Sequence, residues 1–232
     1  MTINQKLKLD VFKKYADHYD CEVPRPQPSD FVVLLFEGRE GGSFVDVGAN
    51  DGITWSNSLV LEEGYEWNGL CVEPHPVVFE KLEANRKSEC LNIGLSNENE
   101  ELEFCKIDGY AEMLSGFTKF YCEKHKKRVE TETEEHGDQV SYVNVPSRKL
   151  ADVLKEKDIN HVNYLSVDTE GSELQVLEGA DLEKNVFDLI SCEDNYGYDD
   201  VSKYLKQFNY KFLTKVCGDN FYAHESSYTA DN

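Results

Sequence analysis

From Ser43 onward, short apolar runs alternate with stretches whose apolar residues recur at helical spacing. SFVDVG is followed by a helical pattern near Ile53 to Glu63, GLCVEP by one near Val77 to Lys87, and then comes the run CLNIGL. The rhythm resumes with a helix around Lys149 to Lys155, the strand VNYLSVD, a helix from about Ser172 to Glu178, the strand FDLISCE and a helix near Asp199 to Gln207. Strands alternating with helices predict βαβ units, hence a mostly parallel sheet. The last two runs, YKFLTK and NFYAHE, have no helical pattern between them and are expected to pair antiparallel.

Two regions break the rhythm. Ile3, Leu7, Val11, Phe12 and Tyr15 predict an amphipathic helix packed on the main domain, and the prolines of CEVPRPQPSD end it. Ser29 or Asp30 is placed to cap a short helix through Phe36, which the glycines of GREGG terminate. Farther on, Ser96 to Pro146 offers possible strands at ELEFCKI and VSYVNV around the charged stretch YCEKHKKRVETETEEHGD. That middle reads as a mobile surface insertion, either a solvated loop or a lid over substrate. The expected organisation is a helical extension and linker over residues 1–41 and one α/β domain over 42–232, with the insertion at about 97–146.

Charge narrows the partners. Lys plus Arg total 24 against 45 Asp plus Glu, a formal net charge of -21. Such a balance disfavours nucleic acid and anionic membranes, unless it serves solubility alone. No apolar run approaches the ~18 residues of a membrane span, and MTINQKLKLD lacks the apolar core of a secretory signal, so a cytoplasmic protein is expected. The seven cysteines are scattered and never spaced C-x-x-C, which predicts neither a disulfide framework nor a zinc site. Cys71 and Cys192 lie inside apolar runs, where a thiol behaves as a small hydrophobe.

Candidate chemistry centres on VDVGANDG. In a doubly wound sheet, ligands bind beyond the carboxyl ends of the strands, so the turn after the first strand is the place to look. Gly48 and Gly52 bound that turn and let backbone approach a ligand closely. The dinucleotide fingerprint G-x-G-x-x-G is absent, and Asp51 occupies the position that would receive a pyrophosphate. A carboxylate there repels phosphate. S-adenosylmethionine carries an ammonium and a sulfonium instead, so Asp46 and Asp51 suit it better than they suit NAD. Twenty-five residues past Gly48, Glu73 ends the second strand within LCVEPHP, where its carboxylate is placed to accept hydrogen bonds from both ribose hydroxyls.

Taken together, FVDVGANDGITWSNSLVLEE, EWNGLCVEPHPVVFEKLEANR, CLNIGLS, VNYLSVDTEGSELQVLEG and ISCEDN resemble the FkbM-type methyltransferases from about Gly42 to the carboxyl end. The resemblance implies a Rossmann-like class I methyltransferase fold with a seven-stranded sheet and helices on both faces. It also implies S-adenosylmethionine as cofactor and, often, a hydroxyl on a sugar or other small molecule as acceptor. Carried over, Asp46, Gly48, Ala49, Asn50, Asp51 and Gly52 line the methionine and ribose. Ser56 and Asn57 begin the adjoining helix, Glu73 and Pro74 hold the ribose, and Leu95 and Ser96 lie near the adenine. Where the family often has a lysine on its fourth strand, this chain has Ser166.

Asp168 and Glu170 follow that strand in DTEG, and Glu173 opens the next helix. Methyl transfer is an in-line displacement whose needs are alignment and removal of the nucleophile's proton. Asp168 is assigned beside the methyl group and Glu170 to the acceptor hydroxyl, with Glu193 and Asn195 as further acceptor contacts. The competing expectation is that Glu173, and to a lesser degree Glu170, complement the amino end of a helix. Asp168 and Glu170 could also bind a divalent metal, but no spacing demands it, and none is assigned. His75 could act as a base, although a lone histidine is more often hydrogen-bonded structure. A non-catalytic cofactor-binding or protein-interaction domain of the same fold is the alternative function.

Overall fold

The computed structural model describes residues 27–227. The helix expected at Ile3 to Tyr15 and most of the proline-bearing linker lie outside those residues. The described chain runs α1 (Pro28–Leu35), β1 (Ser43–Val47), α2 (Leu59–Tyr65), β2 (Asn68–Val72), α3 (Pro76–Asn85), β3 (Glu89–Leu91) and β4 (Gly94–Leu95). There follow β5 (Glu100–Asp108), β6 (Gly116–Phe117), α4 (Glu123–His136), β7 (Gln139–Arg148) and α5 (Leu150–Glu156). The remainder is β8 (Val162–Val167), α6 (Glu173–Glu178), β9 (Phe187–Glu193), α7 (Asp200–Lys206), β10 (Tyr210–Val216) and β11 (Asp219–His224).

Seven strands form the main sheet in the order β10-β11-β9-β8-β1-β2-β3. β1 pairs in parallel with β2 and β8, β2 with β3, and β8 with β9, whereas β11 runs antiparallel to both β9 and β10. All strands but β11 therefore point the same way, and the last two runs form the antiparallel pair that the sequence predicts. β8 is buried at every position, as a central strand covered on both faces must be. On one face Val45, Val47, Leu165 and Val167 pack with α5 and α6 through Leu150, Val153, Val176 and Leu177. On the other, Phe44, Cys71 and Tyr164 meet Val32 and Val33 of α1, Val60 and Leu61 of α2, and Leu82 of α3. α1 thus belongs to the core of the domain.

Several local expectations are corrected. Gln27 is the N-cap of α1, with Pro28 in the first turn, and the Asp30 carboxylate reaches back to accept from the Gln27 N–H at 3.1 Å. The first crossover helix begins only at Leu59, because Asp51 and the serines hold residues 53–57 in turns. CLNIGL splits: Glu89–Leu91 joins the main sheet and Gly94–Leu95 a second one.

That second sheet, ordered β4-β7-β5-β6, is built from the insertion together with β4 just before it. β5 and β7 pair antiparallel from Glu100↔Ser147 to Asp108↔Gln139. Between them the charged stretch, read as a mobile loop, is the 14-residue helix α4. His125, Val129 and Thr133 form its buried stripe, one residue per turn, and Gly137 closes it with φ 69°. So narrow a stripe, carrying one aliphatic residue, leaves little periodic signal in the sequence.

Candidate active site

The turn after β1 is fixed by its neighbours on both sides. Gly48 and Ala49 donate their N–H groups to the Val72 carbonyl at 2.9 and 3.1 Å. Gly48 has φ +82°, and a Cβ there would lie 1.6 Å from the Asp168 carbonyl oxygen, so only glycine lets β1 and β8 end side by side. Asn50, at φ 49°, donates its N–H to Glu73 Oε2 at 2.9 Å, while the His75 N–H meets Glu73 Oε1 at 2.8 Å. Burial pushes the Glu73 carboxyl up to about 7, against the lowering effect of those two bonds.

Beyond the strand ends lies a cleft of about 760 Å³. Gly48, Asn50, Glu73, Pro74 and Leu95 line it, as do Asp168, Glu170 and Glu193, and among the described residues no lysine or arginine does. Its outer wall is one that sequence reasoning missed. Phe104, Glu112, Met113, Ser115, Gly116 and Phe117 all come from the insertion. Only the second sheet brings them over the turn, and no motif marks them.

Other expected cofactor residues do not line this cleft. Asp46 points to the opposite face of the sheet, where it accepts from the Ser58 hydroxyl, and Arg86 donates to Ser58 Oγ at 3.0 Å. Asp51 turns away, its Oδ1 accepting from the Ile53 and Thr54 N–H groups at 2.9 and 2.6 Å and its Oδ2 from the Thr54 hydroxyl at 2.7 Å. The repulsion of phosphate ascribed to Asp51 is therefore replaced by a turn-forming role. Ala49 is core, and at Gly52 a Cβ would press on Arg86 and Leu82. The Ser56 hydroxyl accepts from the Leu59 N–H and from Arg86, and Asn57 donates to Ser166 and Asp219. Ser96 extends the β4–β7 pairing within the second sheet, its N–H donating to the Arg148 carbonyl and its hydroxyl accepting from Ser147. Ser166 is buried and does not line the cleft.

The far end of the cleft is acidic. Asp168, Glu170 and Glu193 each offer an oxygen within 4.8 Å of the others. Burial, followed by mutual repulsion, raises Asp168 well above the carboxylate range and Glu170 and Glu193 to about 8. Glu173, by contrast, serves the turn: its Oε1 accepts from the Thr169 and Gly171 N–H groups at 3.1 and 2.9 Å. His75 is likewise structural. Its Nδ1 accepts from the Val78 N–H at 3.3 Å, and its Nε2 faces the Ile107 carbonyl at 3.3 Å.

α4 reaches this end through His125. Nε2 lies 3.2 Å from the Leu114 carbonyl, which can only accept, so that nitrogen carries the proton. Nδ1 is then left to accept from the Tyr196 hydroxyl at 2.9 Å, with Glu170 Oε2 3.4 Å away. Asn195 approaches the same oxygen at 3.5 Å from outside the cleft.

The strand order, with a single reversed strand and a cleft at the carboxyl edge, defines a Rossmann-like class I methyltransferase fold. Residues 46–212 match the Methyltransferase FkbM domain, and the chain belongs to that family. It is 32% identical over 160 residues to the methyltransferase sdnD of Sordaria araneosa, covering 60% of this chain and 60% of that protein. The chain thus spans about 60% of that relative's length. Among solved structures it is similar to the methyltransferase FkbM of Methylobacillus flagellatus KT, at 12% identity and TM-score 0.48 over 93% of this chain and 58% of that one. A methyltransferase of Pyrococcus furiosus matches at 11% identity and TM-score 0.38 over 87% and 86%. Among the described residues no helix is long and apolar enough to cross a membrane.

Proposed function

We propose that this protein transfers a methyl group from S-adenosylmethionine to a hydroxyl of a sugar, glycan or other small molecule. The observation that carries this reading is the lining of the cleft, which combines the Glu73 carboxyl, apolar side chains, and a group of three carboxyls, with no lysine or arginine lining it among the described residues. That donor set suits the cofactor's ribose hydroxyls, adenine, and ammonium and sulfonium in turn. Glu73 and the Asn50 turn would hold the ribose, and Leu95, Phe104 and Phe117 the adenine.

When bound, the cofactor supplies an electrophilic methyl group, and its sulfur keeps the electron pair of the broken bond. Asp168 lies where the positive end would be held. Glu170 takes the acceptor hydroxyl's proton as oxygen bonds to carbon. At neutral pH Glu170 is largely protonated in the free protein, so a neighbouring cation, by lowering its pKa, is what turns it into a base. Calorimetric titration with S-adenosylmethionine, S-adenosylhomocysteine and NAD tests the reading. Micromolar binding of the first two is expected, and NAD binding with no response to either of the others would overturn it.

A further inference from the structure

On the other side of the Glu170–Gly171 turn lies a second cleft, of about 1040 Å³, between Phe120 and Cys122 of the insertion, the start of α6 and the loop after β9. Glu170 and Glu193 line both clefts, so the two spaces meet at these carboxylates. Among the described residues, no lysine, arginine or histidine lines the second cleft. Of its acids, Glu173 is engaged by the Thr169–Gly171 turn, and Asp194 accepts from the Gly197 N–H and Asn220 and lies 3.7 Å from Lys215. Among the described residues, Glu170, Glu193 and Asp200 have no cation in ion-pair contact other than the His125 ring beside Glu170, which burial keeps neutral. Arg128 is held by Glu132 at 2.7 Å and bonds Tyr196, and its charge moderates the rise of Glu170 without cancelling it. Tyr196 and Tyr198 add aromatic faces, their centroids 6.2 Å apart, and the Tyr198 ring already carries the Lys124 ammonium at 5.3 Å.

We infer that this second cleft is the acceptor site and that it takes a hydroxylated acceptor bearing a protonated amine, such as an amino sugar. The inference rests on the methyl-transfer reading. Asp168, which lines only the first cleft, answers the cofactor's positive end, whereas Glu170 and Glu193 also face a space where no protein cation meets them. Carboxylates beside tyrosine rings are the chemistry that holds an ammonium, and the same wall repels phosphate or carboxylate. An acceptor held there presents its hydroxyl to the methyl donor across the Glu170–Glu193 boundary.

The test is calorimetric titration of the full chain, saturated with S-adenosylhomocysteine, using glucosamine, glucose, N-acetylglucosamine and glucose 6-phosphate. Glucosamine is expected to bind roughly tenfold tighter than glucose, N-acetylation to remove that advantage, and the phosphorylated sugar to bind weakest. Asp200→Asn, at the exposed start of α7, and Glu193→Gln should each weaken glucosamine severalfold. Asp200→Asn should leave S-adenosylhomocysteine affinity unchanged. Equal or tighter binding of glucose or its phosphate, no heat from glucosamine, or indifference to both substitutions overturns the inference. Failure to bind S-adenosylhomocysteine would instead overturn the methyl-transfer reading, so the two outcomes are distinguishable.

Discussion

The protein holds two groups of acids, a buried one behind the main sheet and a half-buried one at its carboxyl edge, and they are built differently. Behind the sheet, Arg86 pairs directly with Glu62 and reaches Asp46 only through the Ser58 hydroxyl, and burial still raises Asp46. Arg86, with no side-chain exposure, donates to both Glu62 oxygens at 3.3 and 3.4 Å, to Ser56 and Ser58, and to the Gly52 carbonyl. Burial by itself would raise Glu62, but the Arg86 charge and bonds from Ser88 and the Lys87 N–H outweigh it and hold the carboxyl below its usual range. At the carboxyl edge, Asp168, Glu170 and Glu193 face one another without a comparable cation, and all three are raised. Acids that the protein neutralises itself hold the fold together; acids left to repel one another await a cation from outside.

The largest effect should come from removing the guanidinium. Arg86→Leu strands the buried Glu62 carboxylate, and should cost about 3–5 kcal/mol in chemical denaturation. Glu193→Gln, which relieves repulsion, should leave the free protein as stable or more so. A Glu193→Gln loss as large as that of Arg86→Leu would erase the distinction. Next in size, Glu170→Gln should cut turnover by roughly 10²-fold or more while leaving S-adenosylmethionine affinity nearly unchanged, since general-base assistance is worth that much. Collapse of cofactor affinity instead would place Glu170 with the cofactor.

A pH series sharpens the contrast further. Glu170 and Glu193 sit near 8 in the fold against an ordinary 4.5, so the folded chain binds more protons than the unfolded one between those values. Their contribution is present in full below 4.5 and is lost as pH rises through about 8. Glu62, held low, contributes the reverse: stability present above 4.5 and lost as pH falls below it. The cofactor-free protein should therefore gain stability as pH falls from about 8 toward 5, then lose it below 4.5. Because a cationic ligand needs the edge acids ionised, its affinity should rise with pH over the same upper window. Thermal melts with and without S-adenosylmethionine across that range check both signs. The smallest expected effect is that of His125→Gln. It should cost about 1 kcal/mol of stability, through loss of the bonds to the Leu114 carbonyl and the Tyr196 hydroxyl, and move the acidic limb of the activity profile by less than one unit.

Much of the fold was readable because its signals are local. Val45, Val47, Leu165 and Val167 stand in runs that only a two-sided core explains, and the helices after Glu73 and Asp168 begin within two residues of their expected starts. The insertion was half readable. β5 and β7 show β-rich runs, but α4 buries His125, Val129 and Thr133, and no periodic scan weights a histidine and a threonine as core. Within the site, Gly48, Asn50, Glu73, Pro74, Leu95, Asp168, Glu170 and Glu193 come together in one cleft, whereas Asn195 stands in the second. Asp46 and Asp51 show the limit of reading charge from sequence. Both are acids in the right turn, yet one is spent on Ser58 and the Arg86 network and the other on the backbone of its own turn.

What the sequence by itself determined is the order of strands and helices outside the insertion, the glycine-bounded turn, and the acids at strand ends, since alternation, positive φ and chain spacing are properties of neighbouring residues. Tertiary structure alone decided which acids acquire a cation, because Arg86 reaches Asp46 and Glu62 from 40 and 24 residues away. It also decided that the insertion, through Phe104, Met113 and Phe117, walls the first cleft and, through Phe120 and Cys122, opens the second. Those contacts join residues far apart in the chain, and their energies depend on burial that no local pattern records.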